Sequence, residues 1–517
     1  MPESSGDICD GVQHKMDPVL ASPPIESAEW KTRAASAVCL KFSGEIPGHI
    51  QSRIAYAFRV FAAIYGYRVV ETDEGADAIC FEYGKKATFE QNPRRFHVPA
   101  RYRSRPPEVR VEKFTKHRYA NEDLYLVYGI DEATGKPDWL GEIFEWISSS
   151  HELSVSGRDD VGRINYSDMI FSRLGISPRK PYATLLMAWM ENSVRHGKTL
   201  EALPKARSPI EGVEHVVVCS HDIDFYHVNR ISALVRLFKN LGIACRVYKS
   251  WSFFASNSKM IVEVLGGKRV GEYLPAMLEA IEKCGFHSTL FIVPRQAHRR
   301  DPNYRAEQLR PDLLEANKRG FSVALHGSYT SLIGGAALTS ESQALEEVTG
   351  KKPLGNRQHW LRFDRHEKLF EAIESAGLVF DSTLGFSETA GFRNGASFAF
   401  PPYDFKNEKP HRFLEIPLVL MDTSLEAASR ALRREPQELA DEVLQESRKW
   451  SWGGISLIWH NPMEPLQVPE QINEVFWNCA RKRRDAGEQW MSGRQFLSQC
   501  LSRYQDAGLM EGVRVDF

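Results

Sequence analysis

Apolar positions recur at helical spacing from His49 to Tyr65, where Ile54, Phe58, Phe61 and Ile64 would share one face of an amphipathic helix. Two short β-like runs come next, Tyr67-Arg68-Val69-Val70 and Ala78-Ile79-Cys80-Phe81, and Leu140 to Ser148 returns to helical spacing. The pattern predicts a small α/β domain over 36–150. Within it, Gln91 to Arg110 is crowded with Pro, Arg and aromatic residues and reads as irregular surface structure. The run Tyr182 to Met190 is too apolar for a free linker, so 151–213 is expected to be a connecting helical segment packed on the C-terminal domain. Residues 1–35, polar and without periodicity, read as a mobile leader.

After about Pro204 short buried strands alternate with helices that have clear stops. Val216 to Cys219 is a continuous apolar strand, succeeded by a helix containing Ile231, Leu234, Leu237 and Phe238. A helix from Leu274 to Cys284 stops at Gly285 before the strand Thr289 to Val293, and one from Leu313 to Arg319 stops at Gly320 before the strand Phe321 to Leu325. Asp364 and Glu367 have capping-box spacing ahead of the helix Lys368 to Ala376, with the strand Leu378 to Phe380 after Gly377. Further strands are expected at Leu414 to Leu418 and Ile455 to Trp459. Roughly six or seven such units in about 290 residues predict a (β/α) barrel over 214–517, whose strand C-termini would converge on one face.

Composition narrows the field without choosing a chemistry. Hydrophobic residues at 42% and charged residues at 26% are ordinary for a globular chain, and 66 basic against 67 acidic residues give no global field toward nucleic acid or an anionic membrane. Any such binding has to be local, and Arg481 to Arg484 reads as a solvated helix face. No apolar run is long enough to span a bilayer, no secretory signal is legible, and eight cysteines without CxxC spacing fit reduced thiols, so the expected compartment is the cytoplasm. Gly334-Gly335 and Gly453-Gly454 lack the context of a phosphate loop.

The polar residues of interest end the predicted strands. Alternation puts Asp222 and Asp224 on one side of the chain, where two carboxylates either bind a cation with one kept as a base, or cap the next helix. His326 ends another strand and can present a ring nitrogen to metal, while Ser328, Tyr329 and Thr330, with Ser331, are candidates to hold a water or a substrate carbonyl. His460 closes the last strand as a candidate general acid. Cys219 reads as a buried strand residue rather than a nucleophile, and His221, out of phase with the acids, should face the helical layer. Trp360, Phe386, Phe392 and Tyr403 are aromatic candidates for stacking on a sugar, or for core.

Asp222-Ile223-Asp224, His326, Arg357, Asp381-Ser382-Thr383, Glu415-Ile416-Pro417 and His460 occur in the order of the motifs of the polysaccharide deacetylase family (NodB homology, carbohydrate esterase family 4), and Gly285 to Phe291 is similar to its second strand. The resemblance covers about Val216 to Cys500. It implies a distorted (β/α)7 barrel, a divalent metal (zinc, with cobalt or nickel as alternatives) and hydrolysis of N-acetyl groups on a saccharide; because no secretory signal is legible, the expected substrate is one reached inside the cell, such as a precursor in bacterial polysaccharide assembly. By the same resemblance Asp222 becomes the base, Asp224 and His326 metal ligands, Arg357 the group that orients the base, and His460 the acid. One position departs: where the family has a second metal histidine, four residues after the first, this chain has Thr330. His359, two residues after Arg357, is a candidate replacement, with Thr330, Ser331 or a water as alternatives. The alternatives are a sugar-binding barrel that has lost its full metal site, and a hydrolase of a non-sugar amide.

Overall fold

The computed structural model describes residues 37–71, 78–85, 94–102, 114–119, 121–196, 205–226, 229–268, 271–332, 336–363, 366–464 and 467–515. The leader expected over 1–35, Gly334-Gly335 and Asp364 of the capping box lie outside them. Strands are β1 (Ala37–Ser43), β2 (Arg68–Val69), β3 (Ala78–Gly84), β4 (Arg95–Pro99), β5 (Thr115–Tyr119) and β6 (Glu122–Leu126), then β7 (His215–Asp222), β8 (Thr289–Ile292), β9 (Ser322–Gly327), β10 (Gly355–Gln358), β11 (Phe380–Asp381), β12 (Tyr403–Asp404), β13 (Lys409–Pro410), β14 (Leu414–Glu415), β15 (Leu418–Met421), β16 (Gly453–Ile458) and β17 (Glu488–Met491).

The first four strands form a parallel sheet in the order β2-β1-β3-β4. Part of the segment expected to be irregular, Gln91 to Arg110, is therefore β4: Phe96 and Val98 are buried and pair beside β3, which outweighs the Arg and Pro residues around them. Helix Gly48–Tyr65 buries Ile54, Phe58, Phe61 and Ile64 as the spacing predicts. Its apolar cluster continues without a break to Phe496, Tyr504 and Met510 near the other end of the chain. Trp452 Nε1 and Arg503 Nε donate to the carbonyls of Ile64 and Ala63 at 3.2 and 2.8 Å, which ties that helix to the chain entering β16 and to the C-terminal helix Gly493–Asp506.

The large sheet runs β14-β11-β10-β9-β8-β7-β16-β15, with β17 added beside β7, and every pair in it is parallel. Its two outer strands, β14 and β15, are successive pieces of one stretch of chain separated only by Ile416-Pro417, so the sheet closes on itself as a seven-position barrel, as expected. Burial on both faces makes β7 continuously apolar at its start. Alternation then sorts its side chains: Val216 and Val218 join an inner cluster with Phe291, Ala324 and Phe380, whereas Val217 and Cys219 join the layer toward the helices with Leu290 and Leu457. Asp222 has the inner phase. His221 has the outer one, against Phe476, as expected.

One smaller expectation changes, and one feature gains a physical reason. Arg483, in the basic run read as a solvated face, is buried and donates to the carbonyls of Ala480 and Cys284. Gly453 and Gly454 start β16 at φ +91° and +87°, and a Cβ on Gly453 would stand 2.2 Å from the Val216 carbonyl oxygen, which explains the glycine pair by backbone packing. The described cysteines are free and, apart from Cys245, buried. No helix among the described residues is long and apolar enough to cross a membrane. We expect Gly453→Ala to lower the unfolding free energy in urea by about 1–3 kcal/mol, and Gly512→Ala, at φ +72° in open space, by less.

Candidate metal centre

The inner phase of the barrel turns polar toward the strand C-termini, and there Ser220, Asp222, His326, Arg357 and Ser456 face one another. Arg357 is fully buried. Its guanidinium donates to Asp222 Oδ1 at 2.7 Å, Ser220 Oγ at 2.9 Å, Ser456 Oγ at 3.1 Å, and the carbonyl and hydroxyl of Ser382, both at 3.0 Å. Phe291 lies under it, 4.1 Å from ring centre to guanidinium carbon. Burial opposes the charge on Asp222, but Arg357, with His326 and His460, holds its carboxyl below the usual carboxylate range.

β7 ends at Asp222, so Asp224 reaches the same hollow from irregular chain rather than by strand alternation. Three imidazoles surround it. His326 Nδ1 meets the Arg357 carbonyl at 2.7 Å, His359 Nδ1 meets Asp301 Oδ1 at 2.9 Å, and His460 Nδ1 meets Asp422 Oδ1 at 2.8 Å. Each partner is an acceptor, so each Nδ1 carries the hydrogen and each Nε2 is turned the other way. Those Nε2 atoms lie 3.6 and 3.7 Å from Asp224 Oδ1, for His326 and His359, and 3.8 Å from Asp224 Oδ2, for His460.

Donor atoms of Asp224, His326 and His359 all lie within 4.8 Å of one another, and Asp224 Oδ1 is buried without a hydrogen-bond partner among the described residues. An orphaned carboxylate oxygen facing two ring nitrogens with outward hydrogens fits a divalent cation of the zinc type. Asp224 is held low against its burial by His359, His326 and His460. Burial lowers His326, whereas His359 and His460, also buried, are carried up to about 9 and about 10 because Asp224 and Asp422 respectively outweigh that effect.

His359 is reached through a strained turn. β10 pairs Arg357 with His326, and after Gln358 the chain makes a single 3-10 turn in which Trp360 and Leu361 have φ +66° and +50°. The His359 ring thereby comes to 4.8 Å from that of His326, centre to centre. The residues after His326 are placed otherwise. Ser328 binds the Glu341 carboxylate through its N–H and hydroxyl, the Tyr329 N–H binds Asp301 at 2.7 Å with its ring stacked on His298, and Thr330 is half-buried. None of the three is among the residues lining the cavity over Asp224 and its histidines.

That cavity holds about 720 Å³ and is lined by Asp222, Asp224, His326, His359 and His460, with Phe225 and the 43% exposed Trp360 on its wall. Arg163, Arg236, Arg299 and Arg300 complete its cationic side. Phe386, Phe392 and Tyr403 belong to the core. Asp381 and Glu415 face each other in register across β11 and β14, fully buried, and burial raises both. Sequence reasoning missed Asp301 and Asp422, the acids that orient His359 and His460. Asp422 directly succeeds the apolar strand β15 and carries the same signal as Asp222; Asp301, in a loop, carries none.

Neither a protein-family model nor a curated protein matches the sequence. Solved structures similar to the chain include a Mycobacterium smegmatis protein described as a polysaccharide deacetylase, at 18% identity over 61% of this chain and 100% of that one, TM-score 0.36. Others are Puue allantoinase (12%, 59% and 94%, TM-score 0.36) and the peptidoglycan deacetylase PdaC of Bacillus subtilis (11%, 57% and 95%, TM-score 0.27). These likenesses are too loose to carry an argument, and the functional reading rests on the site. Because Arg357 answers a buried carboxylate, Arg357→Met should destabilise the fold by about 3–5 kcal/mol in urea unfolding.

Proposed function

We propose that this chain is a metal-dependent hydrolase that removes an N-acyl group from a saccharide. The observation that carries the reading is the convergence of Asp224, His326 and His359 around an unpartnered buried oxygen, beside an arginine-held Asp222 and an acid-held His460. A divalent cation held by those three residues would supply Lewis-acid polarisation of an acyl carbonyl and acidify water.

The remaining roles belong to the chain itself. Asp222, kept ionised by Arg357, takes the proton from a water that attacks the carbonyl carbon. His460, kept protonated by Asp422, gives a proton to the amide nitrogen as the C–N bond breaks, so that a carboxylate and an amine leave. Asp301 holds the tautomer of His359 that turns Nε2 toward Asp224, so that His359 substitutes for the ligand that Thr330 does not provide. The motif order in the sequence supports a saccharide as the body that carries the amide, with Trp360 as a platform for a sugar ring. The arginines on the cavity wall favour one that carries a phosphate or carboxylate, as a carrier-linked precursor does.

The test is metal analysis together with acetate release from neutral and anionic N-acetylated sugars and from simple amides. Purified protein should hold about one zinc ion. Asp224→Ala and His359→Ala should each weaken zinc binding at least about 100-fold, and Asp301→Asn about 10–100-fold. His460→Asn should keep the zinc and lose about 10²–10⁴-fold in kcat. Absence of any bound divalent metal after zinc loading, or acetate release unchanged in the Asp224 and His460 variants, would defeat the proposal.

A further inference from the structure

Between β7 and β8 the chain leaves the barrel for a helical hairpin, Arg230–Ile243 and Trp251–Leu265, joined by a π-helical turn at Ala244–Tyr248. Ala233, Leu237, Met260, Ile261 and Val264 form a small core between its helices, and Asn240 and Asn257 share a buried hydrogen bond of 2.8 Å. One face of each helix is thereby explained. The rest is unusual for a surface facing water. Ile231, Val235 and Phe238, at i, i+4 and i+7, are 77%, 51% and 58% exposed, and Trp251, Val262 and Leu265, at i, i+11 and i+14, are 79%, 68% and 57% exposed. Eight of the twelve exposed large apolar side chains among the described residues lie between Ile231 and Leu265.

Charge identifies what covers them. From Asn229 to Lys268 there are seven basic side chains (Arg230, Arg236, Lys239, Arg246, Lys249, Lys259 and Lys268) against one acid, Glu263, in a chain whose net charge is -1. A second copy would bring like charge against like charge. A protein interface depletes lysine from its apolar centre, and a phosphate backbone offers nothing to Ile231 or Val262. Apolar and indole side chains interleaved with Lys and Arg suit the headgroup region of an anionic bilayer, where the first enter the acyl boundary and the second meet phosphates.

We propose that this hairpin docks the protein onto an anionic lipid surface. Arg236, on its first helix, and Phe225, just before it, line the same cavity as Asp222 and Asp224, so docking holds the mouth of the site beside the headgroups. If the hydrolase reading is right, this places within reach a saccharide tethered to lipid; the docking itself does not depend on that reading.

Co-sedimentation of the full chain with vesicles of phosphatidylcholine alone, or mixed with phosphatidylglycerol, tests it. The protein should pellet with the mixed vesicles and far less with phosphatidylcholine alone, and salt should release it. Phe238→Ser with Trp251→Ser, and separately Lys239→Glu with Arg246→Glu and Lys249→Glu, should lower partitioning by about tenfold or more while the thermal melt and zinc content stay unchanged. Failure to pellet, equal pelleting with both vesicles, or variants that partition as before would overturn the proposal. So would a dimer in sedimentation velocity that the Phe238 and Trp251 variant dissociates. Loss of zinc binding with vesicle binding intact would count against the hydrolase alone.

Discussion

Three imidazoles turn their Nε2 atoms toward one carboxylate, and the end of the barrel is organised around that convergence. Each ring is fixed from behind by an acceptor on a different part of the chain: the Arg357 carbonyl, Asp301 and Asp422. Unit charges 4 Å apart interact by about 4 kcal/mol at an effective dielectric of 20, so a hollow with this many titratable groups is stable only when each charge is answered nearby. Asp222 has Arg357 as its answer. Asp224, with one oxygen lacking a protein donor, is the group left for a cation.

On the proposed reading, the position of His359 lets a ligand move without the site being lost. Register pairs Arg357 with His326, so the residue two further on emerges just beyond His326 on the neighbouring strand. A tight turn with Trp360 and Leu361 at positive φ then sets its ring. Thr330 comes after β9 on the same stretch as His326, and on the proposed reading His359 takes its place from the turn after β10, through space rather than through sequence spacing.

Legibility in the sequence depends on whether a pattern has a visible end. Asp222, His326 and His460 terminate apolar runs, and those ends converge once the strands are parallel and the sheet is closed. Asp422 escapes notice because Pro417 interrupts its strand, and a run taken to end at Leu418 stops four residues short of it. Asp301 lies in a loop, where no periodicity exists to be read. Arg357 is assigned from motif order alone, and four of its five donations go to three serines whose approach no spacing predicts. In the hairpin, periodicity finds Ile231 and Phe238 as members of a helix; it says which residues share a face and nothing about what covers that face.

The barrel closes by having a single stretch, Leu414 to Met421, pair with β11 through one half and with β16 through the other. Ile416-Pro417 between the halves lets the ladder pass from one neighbour to the next. The outer edges of β14 and β15 are also met by Phe400 and by the Gly391 amide, so this sheet offers little open edge to a foreign strand. The smaller sheet ends on one side in β2, only two residues long. The connectivity thus leaves few open strand edges on the barrel, and the apolar side chains of the outer helices remain open to selection for other uses.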